Sequence, residues 1–223
     1  MPNQFKRNTI IFYSFFLVII SSLMTVLCYH LFVFNTFSSD NSQTQAFREV
    51  SIEQFKNSPI KEDNSIIEVM SYGCHYCAKN EENLAEFSRT LPPGSVFNTI
   101  HIASKTSGLA TYAPLFATLT EMGIEEKHRD SAYNAVITRN VDLTDEKVLE
   151  SWLEKNDINV ATYKIVRQSD AVKDRLSNME AITRYYDINA TPIFIINKRY
   201  IVAQDRDFPE FAQRMQQLLK EDK

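Results

Sequence analysis

Glycine is scarce in this chain, four residues in 223, and none of them belongs to a GxGxxG or GxxxxGKS/T pattern. A loop that cradles nucleotide phosphates needs glycine for its tight turn and close backbone approach, so nucleotide chemistry is disfavoured. Positive charge is also short. The formal net charge is −4, and without Lys6 and Arg7, the only charged side chains before Asp40, it would be −6. Nucleic-acid binding draws on cations set against phosphates, which argues against a nucleic-acid partner. No internal repeat is present, and the 44% hydrophobic and 23% charged content is that of an ordinary globular protein. Cysteine is nearly absent: Cys28, Cys74 and Cys77 are the whole complement. One close pair and one distant cysteine do not make a disulfide framework.

What is present begins with an apolar run. From Ile10 to Phe34 there is no Lys, Arg, Asp or Glu, and the polar interruptions include Ser14, Ser21, Ser22, Thr25, Tyr29 and His30. As a helix the run would reach roughly 37 Å at 1.5 Å per residue, enough for a hydrocarbon core of about 30 Å. Lys6 and Arg7 precede it, so the positive-inside rule puts the N-terminus in the cytoplasm and the rest across the membrane. A cleaved signal peptide is the rival. Its apolar stretch should be shorter and end in a small-x-small site, which this run lacks, and bulky Leu27 before Cys28 does not suit lipoprotein processing. The expected layout is a cytoplasmic tail over 1–8, an anchor (or uncleaved signal) over 9–34, a linker over 35–47 and a folded domain over 48–223. Ser38 to Gln45 is the polar heart of that linker.

Within the domain, Ile66-Ile67-Glu68-Val69-Met70 reads as a buried strand. Helical spacing follows from Cys74 to Ser88. Pro92-Pro93-Gly94 marks a turn, and Val96 to Ile102 reads as a second strand. From about 105 to 186 the pattern is helical. Leu109, Tyr112, Phe116, Leu119 and Met122 share a face, with Gly123 as a stop. Thr144 and Asp170 are expected to cap the next helices, and their aromatic and Met positions to be core. Ile193 to Ile196 reads as a strand, Asn197-Lys198-Arg199 as a turn, Tyr200 to Val202 as the returning strand, and Phe208 to Lys220 as a closing helix. The fold class is α/β: a thioredoxin-like sheet with an inserted helical subdomain, preceded by one N-terminal transmembrane helix.

A Cys-x-x-Cys between a buried strand and a helix start places Cys74 where unpaired N–H groups and the helix dipole favour an anion. Thiolate is the reactive species in disulfide exchange. Cys74 is thus the candidate nucleophile, exposed, and Cys77 the resolving cysteine, turned towards the core. Two other chemistries compete. Structural zinc needs about four ligands, and Cys74, Cys77 and a badly placed His75 supply three at most. A structural disulfide closing so short a loop would constrain little of the unfolded chain. His75 is either an imidazolium that favours the Cys74 thiolate or simply solvated. His30, His101 and His128 read as structural or incidental. Thr191-Pro192 stands before a buried strand. An X-Pro bond is trans by default, but a cis bond here would turn the Thr191 backbone towards an extended substrate beside Cys74.

The ordered set resembles the DsbA family of exported thiol–disulfide oxidoreductases, from about Phe47 to Lys223. It comprises Ile66 through Cys77, Leu91-Pro92-Pro93-Gly94 leading to His101, Met122 through Lys127, and Ala190-Thr191-Pro192 through Asn197. The resemblance implies a bacterial periplasmic setting, or one side of the inner membrane if the anchor stays. It implies a cis Pro192, no cofactor or metal beyond the redox-active disulfide, cysteine-containing exported substrates, and reoxidation by a DsbB-like quinone-linked membrane protein. Matched to its motif, Cys74 is the nucleophile, Cys77 the resolving cysteine, and Glu68 the buried acid that takes or relays the proton of Cys77. The bland alternative for Glu68 is a strand-edge acid facing water. The chain departs from the family at His75-Tyr76, where Pro-His is usual, at Thr191, where valine is common and isomerases carry threonine, and at Thr99, which stands where a lysine often neighbours the acid. Two further functions remain open: an isomerase or reductase kept reduced, or a holdase that needs neither cysteine. The anchor has a direct check. Mass spectrometry of the mature protein is expected to find Met1 to Phe34 still attached, and a mature chain beginning near Asn35 would end the tether.

Overall fold

Strands form where β-branched and aromatic residues cluster: Phe47–Glu49 (β1), Ser65–Met70 (β2), Val96–His101 (β3), Ile193–Ile196 (β4) and Tyr200–Ala203 (β5). The computed structural model describes residues 2–28, 46–104 and 107–221, with side chains at 2–11 and 28 left aside. The strands make one sheet in the order β1-β5-β4-β2-β3. Only β2 and β3 run parallel; the other neighbours are antiparallel. All six residues of β2 are buried, as expected of a strand covered on both faces.

Side chains alternate across the sheet, and each face has its own cover. On one face Ile67, Val69, Ile193, Ile195 and Ile201 pack with Ile182 and Tyr186 at the end of the helix Asp170–Tyr185 (α8). On the other, Ile66, Phe194, Ile196 and Val202 meet Leu84 and Phe87 of the helix His75–Arg89 (α3). Phe211, Met215, Leu218 and Leu219 join them from the closing helix Glu210–Lys220 (α9), whose buried residues recur at the spacing of one helix face. Each large apolar side chain buried this way contributes about 1.5–3 kcal/mol. Glu68 has the parity of Ile66 and so lies on the face that α3 covers.

Between β3 and β4 comes the helical block. It comprises Ala113–Glu121 (α4), Glu125–Tyr133 (α5), Glu146–Lys155 (α6), Val160–Arg167 (α7) and α8, and α5 runs on into a π turn over Asn134–Thr138. Phe116, Leu119, Leu153, Tyr163 and Met179 build its core, which continues to Tyr72, Cys74 and Cys77. The sheet and the inserted block therefore stand as expected. Gly123 (φ 70°) closes α4 as read from the sequence. Ile124 N–H donates to Leu119 O at 3.0 Å and Gly123 N–H to Thr120 O at 2.9 Å, the paired bonds of a Schellman motif.

Several local expectations need correction. Asp145, not Thr144, caps α6, accepting from Lys147 and Val148 N–H; Thr144 is spent on Asp142 at 2.6 Å. Ser169, not Asp170, caps α8, and Asp170 is already its first residue. Leu109 belongs to a separate 3-10 turn, Gly108–Ala110, and not to the helix of Phe116. The closing helix starts at Glu210, after a cis Phe208–Pro209 bond. The first strand and the short helix Ile52–Lys56 (α2) had no sequence expectation.

The first 43 residues separate from the rest as their own unit. Pro2–Cys28 (α1) is helical over 27 residues, and its described side chains, Phe12 to Leu27, are all exposed. Among the described residues no helix is long and apolar enough to cross a membrane. The apolar run Ile10–Phe34 extends beyond them, and Ser38 to Gln45, with Tyr29, His30 and the rest of the expected linker before Ala46, lies outside them. The cap assignment can be tested in the folded domain. Ser169→Ala should cost about 1 kcal/mol of stability in urea melts, whereas Asp170→Asn should change far less.

Candidate functional site

β2 delivers the chain to a short loop, Ser71-Tyr72-Gly73, before Cys74. The loop is tied at each residue. Ser71 Oγ donates to Leu109 O at 2.7 Å, and Cys74 N–H returns to Ser71 O at 2.9 Å. Tyr72 N–H donates to His101 Nε2 at 3.1 Å. The other ring nitrogen, Nδ1, must then carry the proton and donate to Ile102 O, 2.8 Å away. Burial holds the His101 pKa down at about 4, against the opposing pull of the Ile102 carbonyl. His101 is therefore a neutral brace for the loop, in line with its structural reading.

Cys74 and Cys77 are joined as a disulfide with Cα atoms 5.3 Å apart. Cys74 is the N-cap of α3, and its Sγ accepts the Cys77 N–H at 3.1 Å. Fifteen residues of helix follow, with no acidic side chain in the first turn. An anion at Cys74 thus meets an unshared helix terminus. The expected exposure of Cys74 is corrected: it is only 6% accessible, against 0% for Cys77. The accessible members of the motif are His75, which is exposed, and Tyr76, at 67%. Their rings meet edge to face at 6.2 Å.

The Thr191–Pro192 bond is cis, as expected. Both residues line a groove of about 730 Å³ together with Tyr76, Asn80, Gln204 and Phe208. Asn80 Nδ2 donates to Gln204 Oε1 at 2.5 Å, which ties α3 to the end of β5. The groove runs beside the first turns of α3, where an extended chain could lie against Thr191.

Glu68 is buried, so the strand-edge reading of this acid is set aside. Thr99 Oγ1 donates to its Oε2 at 3.2 Å, while its Oε1 has no hydrogen-bond partner among the described residues. Burial first, and Glu81 second, push its pKa up to about 8, with Arg129 opposing. Glu68 lines a cleft of about 340 Å³ that also holds Glu81, Thr99, Glu125 and Arg129. Sequence reasoning missed Glu81, Glu125 and Arg129. Their only sequence signal is local: Glu125 and Arg129 are spaced for a same-face helical pair. Among the described residues no cluster of His, Cys, Asp or Glu is arranged to hold a metal ion.

The model of the DSBA-like thioredoxin domain matches residues 96–216, a span that starts after Cys77 and includes Pro192. The thiol:disulfide interchange protein DsbA of Pseudomonas syringae is 26% identical over 136 residues, covering 60% of this chain and 63% of that protein. The match thus spans less than two thirds of that relative. The protein of the same name from Bordetella pertussis is 23% identical over 151 residues, 66% of this chain and 71% of its own. Among solved structures, a variant of Pseudomonas aeruginosa DsbA superposes with a TM-score of 0.71 at 18% identity, covering 79% of this chain and 95% of that one. DsbA of Proteus mirabilis gives 0.65 at 16%, covering 81% and 97%. At such identities the likeness is one of fold.

Glu68 provides the test of this site. Its carboxyl binds a proton more tightly in the folded than in the unfolded chain, so its contribution to stability is full in acid. That contribution is lost as pH rises from the ordinary 4.5 to about 8. In the oxidised protein, where no cysteine of the pair titrates, Glu68→Gln should gain stability relative to the native chain across that interval and level off above it. A difference that does not vary with pH in urea melts would show that Glu68 is solvated.

Proposed function

Because the chain belongs to the family of DsbA-like thioredoxin domains, whose model matches more than half of it, we propose that it is a thiol–disulfide oxidoreductase that donates the Cys74–Cys77 disulfide to exported, cysteine-containing proteins. The observation that carries this reading is the placement of Cys74 Sγ at the N-cap of α3, hydrogen-bonded to the Cys77 N–H. The relatives' names, thiol:disulfide interchange protein, support it.

The chemistry follows from that position. A substrate thiolate attacks Sγ of Cys74, the less deeply buried of the two cysteines, forming a mixed disulfide. The bond to Cys77 breaks, and Cys77 leaves with the electron pair and takes a proton. The substrate's second thiolate then attacks its own sulfur in the mixed disulfide and expels Cys74 as a thiolate. The substrate is oxidised by two electrons and the pair is reduced. Cys74 is the good leaving group because the helix terminus stabilises its anion. That preference favours the reduced pair and makes the disulfide a donor. The roles of Thr191, Pro192, His75 and Tyr76 are to present and contact the substrate along the groove. Glu68, protonated near neutrality, is the proton source for Cys77.

The remaining parts of the reading rest on the N-terminal segment and on the resemblance. The charge-free apolar run from Ile10 to Phe34, with Lys6 and Arg7 before it, is the ground for a single anchor in the bacterial inner membrane that leaves the domain in the periplasm. A DsbB-like quinone-linked membrane protein would restore the disulfide. The deciding measurement is the redox state of Cys74 and Cys77 in living cells, fixed by acid and alkylation. A mostly oxidised pair is expected. A mostly reduced pair would overturn the donor assignment and favour an isomerase or reductase.

A further inference from the structure

Behind the redox pair, carboxylate side chains from two helices meet around one cation. Arg129 on α5 reaches Glu81 on α3 at 2.6 Å and Glu125, one turn back on its own helix, at 2.6 Å. Its Nε adds bonds to both Glu125 oxygens at 3.0 and 3.1 Å. Glu125 Oε1 also accepts the Tyr72 hydroxyl at 2.7 Å, and Tyr72 lies two residues before Cys74. The guanidinium therefore bridges the loop that leads into the redox pair, the helix that carries it, and the inserted block. All three partners of the clasp have little exposure, 13% for the Arg129 side chain, 19% for Glu81 and 6% for Glu125. Glu68 lines the same cleft.

We propose that Arg129 is a positioning residue for the exchange reaction: by bonding directly to Glu81 and Glu125, it leaves Glu68 as the carboxyl group of this cleft without a cation of its own, and so as the one that carries the proton. The inference rests on the function proposed above and gives the inserted block a part in it. Three carboxyl groups share a cleft with one guanidinium, and burial makes simultaneous ionisation of all three costly. Arg129 satisfies two of them with direct bonds. Glu68 receives one hydrogen bond, from Thr99, and none from Arg129, so it is the group left to hold a proton. The groups facing Glu68 are Glu81 from α3, and Glu125, Arg129 and Tyr133 from α5. Its neighbours across the sheet, Thr99 and Phe194, carry no charge. Thr99 bonds Glu68 without supplying a charge, and the cation of the cleft comes from α5.

The step this controls is the departure of Cys77. When a thiolate attacks Cys74, the S–S electron pair moves to Cys77. A proton from Glu68 neutralises it and leaves the Glu68 carboxylate, which recovers a proton from solvent through the cleft.

The test uses the full chain in detergent, oxidised, with dithiothreitol as the reducing dithiol. The rate of Cys74–Cys77 reduction, divided by the dithiothreitol thiolate concentration, should fall as pH rises past the point where the cluster loses its last proton. Removing a cation raises proton affinity, so Arg129→Met should move that fall to higher pH by about 1 unit or more. Arg129→Lys should bring it back towards the native position. Arg129→Met leaves Glu81 and the buried Glu125 without their cation and could fail to fold. The double variant Glu125→Gln/Arg129→Gln removes one charge of each sign, keeps an acceptor for Tyr72, and should move the fall in the same direction because Glu81 loses its cation. A profile that superposes on the native one in any folded variant would overturn the proposal, even if its melting temperature drops, because Arg129 would then be merely structural. If the native chain itself exchanges no disulfide with dithiothreitol, the oxidoreductase reading fails first, and that outcome is distinct from an unmoved profile.

Discussion

The strand Ser65–Met70 is buried along its whole length, yet it carries a carboxyl group in its middle. Apolar neighbours on both faces hold the strand in register with β3 and β4, and its end fixes where the loop to Cys74 begins. The burial that secures the sheet also keeps Glu68 protonated beyond the usual carboxylate range. Position and protonation thus have one cause. A looser strand would relax the acid and misplace the helix terminus on which the thiolate depends.

The two ends of that arrangement are braced by different means. On the loop side, neutral His101 takes the Tyr72 N–H, and Ser71 ties the turn to Leu109. On the helix side, the braces are ionic and come from α5. The inserted block is therefore more than a cover. Its core continues without a break to Cys74 and Cys77, and its charges end in the cleft behind them. A thioredoxin-like sheet without that block would lack both the apolar floor under the disulfide and the cation of the cleft.

Much of this was legible in the residues. The β-branched run at Ile66, the CxxC at a helix start and the Thr-Pro before Ile193 each depend on local pattern, and each stands where it was read. Caps were harder, because Asp145 lies beside Thr144 and Ser169 beside Asp170, and either member of each pair can bond a free N–H. Which one does depends on a backbone turn that the alphabet does not record. The Asn197-Lys198 turn was visible as a turn but not as its type. Both residues have positive φ in the three-residue loop between the paired Ile196 and Tyr200, without the usual glycine. Lys198 is held there by Asp63, 2.6 Å from its Nζ. The Arg129 clasp was the least legible feature. Its members come from a loop and two helices far apart in sequence, and only folding brings them to one cleft.

The route of the chain through the sheet bears on how the protein can be made. β2 pairs on one side with β3, which follows soon after it, and on the other with β4, where Glu68 faces Phe194. The whole helical block is synthesised between those two partners. Until β4 arrives, one edge of the fully buried strand β2 has no neighbour, and an unpaired apolar edge is a template for pairing with other chains. Closing a loop of that length costs only a little more entropy than closing a short one, but the search is slow when the key contacts are distant in sequence. The half-made protein therefore passes through a stage in which both cysteines are present and the groove, which needs Pro192 and Gln204, does not yet exist.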